Sequence, residues 1–106
     1  MLFRSLAILN DDQVSATTVF NVNADLYRAF LVEYTIVRGT KYRTGTLLVA
    51  TDSGSGDLNY TEDYTENLDV GITLTVTQTT NTVSIKYTST ATATDARLTY
   101  SITHLA

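Results

Sequence analysis

Apolar and polar positions alternate along most of this chain with a period of two. Phe30, Val32, Tyr34 and Ile36 fall on one face of a run in which Glu33, Thr35 and, less tidily, Val37 fall on the other. Ile72, Leu74 and Val76 alternate with Thr73, Thr75 and Thr77. Val83, Ile85 and Tyr87 alternate with Ser84, Lys86 and Thr88, and Leu98, Tyr100 and Ile102 with Thr99, Ser101 and Thr103. Successive side chains of a strand point to opposite faces, so this pattern describes antiparallel sheets with one buried and one wetted face. Strands are expected near 3–9, 14–22, 27–38, 41–51, 57–65, 72–79, 82–90 and 95–104. No segment sustains apolar residues at helical spacing. The single helix-like turn, Asn23-Ala24-Asp25-Leu26-Tyr27-Arg28, is assigned to a loop or strand.

Turn residues punctuate these runs. Arg38-Gly39-Thr40-Lys41 predicts a tight hairpin in which Gly39 takes positive φ. Thr79-Thr80-Asn81-Thr82 predicts a second, with Asn81 as the left-handed residue. Asp52-Ser53-Gly54-Ser55-Gly56-Asp57 is expected to be the most flexible loop, an exposed tip. Seven or eight short strands without helical crossovers specify an all-β, antiparallel β-sandwich, jelly-roll-like or Ig-like, with no substantial helix. Its strand order does not follow from the pattern. The 106 residues fit one domain, 1–106.

Composition sharpens the picture. Threonine makes up about a fifth of the chain and proline is absent, which suits pleated, half-buried surfaces. Without cysteine there is neither a disulfide framework nor a thiolate metal site, a composition that fits assembly in a reducing cytoplasm. Seven basic and eleven acidic residues give a net charge of −4, and the basic residues are scattered apart from a group at 38–43. A nucleic-acid partner is therefore not expected. No window approaches the ~20 apolar residues of a membrane helix. Met1–Leu9 carries one positive side chain, Arg4, is interrupted by Ser5 and leads into Asn10-Asp11-Asp12. It is assigned to the first strand rather than to a signal peptide.

Candidate chemistry is thin. His104 is the only histidine, two residues from the end, and a surface position is expected of it rather than a catalytic one. Asp52, Asp57, Glu62, Asp63, Glu66 and Asp69 could in principle hydrolyse a glycosidic bond or bind calcium, but the spacing is not that of an EF-hand. A polar loop followed by a charged edge strand that discourages aggregation is the simpler reading. Tyr34, Tyr87 and Tyr100 fall on apolar faces and are expected in the core with their hydroxyls at the rim. Tyr42, Tyr60 and Tyr64 are left for contact with a partner, a sugar among the options. Arg38, Lys41, Tyr42 and Arg43 place three cations and an aromatic around one hairpin of an acidic protein. This is either a solvated turn or a contact surface for an acidic neighbour. No catalytic residue, cofactor or metal site is expected.

Val32-Glu-Tyr-Thr-Ile-Val-Arg-Gly-Thr-Lys-Tyr-Arg-Thr-Gly-Thr-Leu47 resembles a Tyr-x-Ile-x-Arg-Gly … Arg-x-Gly-x-Leu pattern of small β-rich virion proteins of tailed bacteriophages. Val70-Gly71-Ile72-Thr-Leu, Val83-Ser-Ile-Lys-Tyr87-Thr-Ser-Thr and Leu98-Thr-Tyr-Ser-Ile102 continue the similarity, which covers roughly residues 14–104. The resemblance implies a non-enzymatic structural role on a virion, made in the host cytoplasm and commonly assembled as trimers or other symmetric clusters. Its first implication is capsid decoration (cement) on the major capsid protein or other virion proteins. The alternative is a tail-fibre or adhesin module binding host-surface glycan or another tail protein. It also implies that Arg38, Gly39, Arg43 and Gly45 serve hairpin geometry and interface anchoring.

Overall fold

The computed structural model describes residues 4–52, 54 and 56–106. The expected contributions of Phe3, Ser53 and Ser55 lie outside the described residues. Eight strands form: β1 (Ser5–Leu9), β2 (Thr17–Asn23), β3 (Ala29–Arg38), β4 (Lys41–Thr51), β5 (Leu58–Glu66), β6 (Ile72–Thr79), β7 (Thr82–Ser89) and β8 (Ala96–His104). They make two antiparallel sheets, of order β1-β8-β3-β4-β5 and β2-β7-β6. The chain passes between sheets at β1–β2, β2–β3, β5–β6 and β7–β8, and the meander β3-β4-β5 and the hairpin β6-β7 stay within theirs. The Asn23–Arg28 segment is a turn, closed by Tyr27 N–H donating to the Asn23 carbonyl at 3.1 Å.

The alternation sets which side chains are enclosed. Phe30, Val32, Tyr34 and Ile36 of β3 and Leu47 and Val49 of β4 face Ile72, Leu74 and Val76 of β6 and Val83, Ile85 and Tyr87 of β7, all nearly solvent-free. Phe20 of β2 stacks on Tyr100 of β8 with ring centroids 4.5 Å apart, joining the sheets on the β1 side. Fully burying one such side chain is worth roughly 1.5–3 kcal/mol, so this layer dominates the folding free energy. Threonine faces outward. Thr99, Thr35, Thr44 and Thr65 form a continuous cross-strand row over β8, β3, β4 and β5. The Thr35 and Thr44 hydroxyls in that row are 3.1 Å apart.

Both tight hairpins have two-residue loops, and both take positive φ at the first loop residue. Gly39 does so as expected, at 63°. In the second hairpin the left-handed residue is Thr80, at 55°, and not Asn81. The Thr79–Thr82 register leaves Thr80 first in the loop, which is the glycine position of a II′ turn. Asparagine's tolerance of left-handed backbone does not decide the turn when the register has already been set by core residues on either side.

The five-stranded sheet is wider than the three-stranded one laid over it. β5 therefore has an inner face that is only partly covered: Leu58, Glu62 and Glu66 are half-buried, and Tyr60 and Tyr64 remain 42% and 47% exposed. Gly45 is in register with Tyr64 on the neighbouring strand. A Cβ at Gly45 would stand 2.5 Å from the Asp63 carbonyl oxygen and 2.6 Å from the Tyr64 Cβ. Only a residue without a side chain lets β5 and Tyr64 close onto β4 there.

Candidate functional site

Two surfaces stand out once the fold is in place, and the residue group 38–43 is divided between them. The period of two does the dividing. Arg38 is in phase with Ile36, and Arg43 with Leu47, so both point inward, whereas Tyr42 points out. The expectation of a solvated cationic hairpin is corrected here: Arg38 and Arg43 are 3% and 5% exposed. Lys41 is half-buried at the rim, and Tyr42 is 51% exposed.

Arg38 gathers the loops at one end of the sandwich. Its Nε donates to the Thr94 carbonyl at 2.8 Å and its Nη1 to the Val70 carbonyl at 2.9 Å. Its Nη2 donates to the Thr90 carbonyl at 2.7 Å and to Asp11 Oδ1 at 2.5 Å. The same Asp11 carboxylate accepts from the Thr92 and Ala93 N–H groups. The Thr92 N–H, then the Arg38 guanidinium and the Ala93 N–H, hold the Asp11 carboxyl below the usual carboxylate range against the opposing pull of desolvation. Gly71, at φ 69°, belongs to this cluster, since a Cβ there would collide with Thr90 Oγ1 and crowd Arg38 Nη1 at 3.1 Å. Arg38 is a clamp for backbone carbonyls rather than a docking residue.

Arg43 sits where β5 leaves the cover of β6. Its Nε donates to Glu66 Oε2 at 3.1 Å, its Nη1 lies 3.8 Å from Glu62 Oε2, and the guanidinium stacks on Tyr64, 4.3 Å from the ring centroid. Glu62 also accepts a hydrogen bond from the Tyr34 hydroxyl. Burial opposes the charge on Arg43, but the Glu66 hydrogen bond and the two carboxylates outweigh it and raise its pKa. Burial, followed by the bond to Glu62, likewise raises the pKa of Tyr34 above that of an ordinary tyrosine. This network borders a cleft of about 750 Å³, lined by Arg43, Tyr64, Glu66, Asp69, residues 71–73 and 88–91, and the Asp12-Gln13-Val14 segment.

The second surface is the outer face of the five-stranded sheet. Register places Ile8, Arg97, Val37 and Tyr42 in one row across β1, β8, β3 and β4, with Leu6 two residues along β1. Leu31 and Leu48 are paired two rows beyond the threonine row. Leu6, Ile8, Val37, Tyr42 and Leu48 are 39–61% exposed. A shallow depression of about 570 Å³ lies in the first row, bounded by Ile8, Val37, Gly39, Asp95, Ala96 and Arg97. Sequence reading singled out Tyr42 but missed Ile8 and Val37, which it assigned only to strands. Val37 broke the alternation, and that irregularity was the available signal.

The remaining candidates are dispersed. His104 is exposed and stacks on Tyr27 at 3.6 Å between centroids. Among the described residues no group of three His, Asp or Glu side chains is placed to hold a metal ion, and no helix is long and apolar enough to cross a membrane. Of the acidic stretch, Glu62 and Glu66 turn in toward Arg43 while Asp63 lies on the outer face, in register with Thr46. Comparison of the chain with protein-family models, curated proteins and solved structures finds no match.

Proposed function

We propose that this chain is a bacteriophage virion structural protein, a capsid decoration (cement) protein that docks on the major capsid protein through the outer face of its five-stranded sheet. The observation that carries the docking surface is the exposed row Ile8–Arg97–Val37–Tyr42 with Leu6 beside it, apolar side chains around one arginine on a sheet face whose neighbouring row is threonine. Exposed apolar side chains clustered with polar ones are characteristic of protein contact, and tyrosine and arginine are common anchors of such contacts. The virion setting rests on the resemblance of residues 32–47, 70–74, 83–90 and 98–102 to small phage virion proteins. In this role the sandwich adds buried area where capsomers meet, and repetition over a symmetric shell multiplies a weak single contact into avidity.

The test is binding of purified protein to expanded capsids stripped of it, with stoichiometry measured by mass. Saturation at a simple ratio to capsid protein is expected. Ile8→Asp and Tyr42→Ala weaken binding while leaving the circular dichroism spectrum unchanged. Thr75→Asp, on the outer face of the three-stranded sheet, leaves binding intact. Capsids that bind neither the wild type nor the control overturn the assignment.

A further inference from the structure

We propose that the open edge of β6 binds an extended, basic peptide segment of another protein, which joins the small sheet as a further strand. Of the four strands that end the two sheets, three carry a feature that discourages strand addition. β1 has five residues, β2 has a register shift between Thr18 and Phe20, and β5 bears Glu62, Asp63 and Glu66. β6 has none of these. Its residues Ile72–Thr79 are uncharged, include neither glycine nor proline, and keep their register with β7 throughout. The Thr90 N–H donates to the Gly71 carbonyl at 2.9 Å, so odd-numbered residues here turn their backbone groups toward β7. Those of Ile72, Leu74 and Val76 therefore face the edge, where no strand among the described residues pairs with them.

The larger sheet supplies a floor for the added strand. β5 runs along this edge in the direction opposite to β6. Tyr64 and Glu66 share the cleft with Ile72, while Thr51, the register partner of Leu58, hydrogen-bonds Gln78 at the far end. A strand ~4.8 Å from β6 lies over the inner face of β5, where Tyr60 and Tyr64 stand 42% and 47% exposed. Its inward apolar side chains would cover both rings. The same overhang excludes a second copy of this chain, because pairing β6 with β6 would drive the copy's own large sheet into β5. A single strand with nothing beneath it fits. Charge then selects its sequence. Asp12, Glu66 and Asp69 line the cleft with one cation, Arg43, which is already paired with Glu62 and Glu66. A lysine or arginine on the added strand is favoured there and a carboxylate is repelled.

The experiment is a ¹H–¹⁵N titration with amide hydrogen exchange, using the intact protein and the end-blocked peptide Lys-Thr-Val-Thr-Val-Thr-Lys. Its counterpart Glu-Thr-Val-Thr-Val-Thr-Glu is the charge control. Saturable shifts and slowed exchange are expected at the Ile72, Leu74 and Val76 amides, with the glutamate peptide about tenfold weaker. N-methylation of the peptide's valines, or separately of its threonines, reports strand pairing on the unaltered protein. Alternate N–H groups face β6, so one of the two removes most of the binding and the other spares it. Tyr60→Ser weakens binding about threefold, and so does Asp69→Asn, which keeps the acceptor for the Gly71 N–H. Ile8→Asp leaves peptide binding unchanged, so this site and the capsid-docking face stand or fall separately. No binding of the lysine peptide, equal binding of both peptides, or equal sensitivity to the two N-methylations overturns the proposal. So does a dimer of the protein alone in which the Ile72, Leu74 and Val76 amides are already protected.

Discussion

Replacing Arg38 with methionine keeps an unbranched apolar stem and deletes the guanidinium. Three carbonyl oxygens, those of Val70, Thr90 and Thr94, lose donors at 2.7–2.9 Å. Hydrogen bonds to a charged group contribute roughly 1.5–3 kcal/mol each, but they are not additive where loops can relax and admit water. Leaving three carbonyls without their charged donor is expected to cost about 3–5 kcal/mol in all, against a total of ~5–15 for a domain. Arg38→Lys retains the charge without the fork and falls between, near 2 kcal/mol. Urea unfolding followed by tyrosine fluorescence measures the change, since the chain has seven tyrosines and no tryptophan. With m near 1.5 kcal/mol/M, the Arg38→Met midpoint falls by about 2–3 M. A loss below about 1 kcal/mol at unchanged m would refute the view that Arg38 holds the loop carbonyls.

Other expectations follow from the same geometry. Gly45→Ala forces β5 away from β4 and is expected to cost about 1–3 kcal/mol, read as a lowered urea midpoint. Thr80→Gly relieves a β-branched residue at φ 55° and raises stability by about 0.5–1 kcal/mol after the added freedom of the unfolded chain is subtracted. Arg43→Glu places a third carboxylate beside Glu62 and Glu66, so its thermal midpoint drops sharply, where a solvated Arg43 would have left it unchanged. The Tyr34 pKa is raised in the folded state, so the folded protein holds that proton more tightly than the unfolded chain. The corresponding stability is complete below the unfolded tyrosine pKa near 10 and is lost as pH rises beyond it. Tyr34→Phe is expected to flatten this alkaline decline in unfolding titrations.

The alternation of Phe30–Ile36, Ile72–Val76, Val83–Tyr87 and Leu98–Ile102 was enough to place the strands and their inward faces, because parity is a local property of a strand. Strand order was not legible. It depends on which apolar faces meet after four crossings between sheets, and the residues alone carry no label for that. Arg38 and Arg43 were misread for a different reason. They were weighed as members of a charged hairpin, whereas their parity with Ile36 and Leu47 already directed them inward. What could not be seen beforehand was their partners. Asp11, Val70, Thr90 and Thr94 converge on Arg38 only through the tertiary fold, and Glu62 and Glu66 reach Arg43 only through the β4–β5 register.

The spread of those partners has a kinetic consequence. Arg38 bonds to residues 27, 32, 52 and 56 positions away along the chain. Contacts of such long range form after the loops between them have closed, so the clamp is expected to engage late, beyond the folding transition state. Arg38→Met then leaves the refolding rate nearly unchanged and accelerates unfolding by about a hundredfold or more. The clamp thus acts as a latch on the lifetime of the native state. Wherever the folded chain must persist for long periods, that lifetime governs survival more directly than the equilibrium constant does.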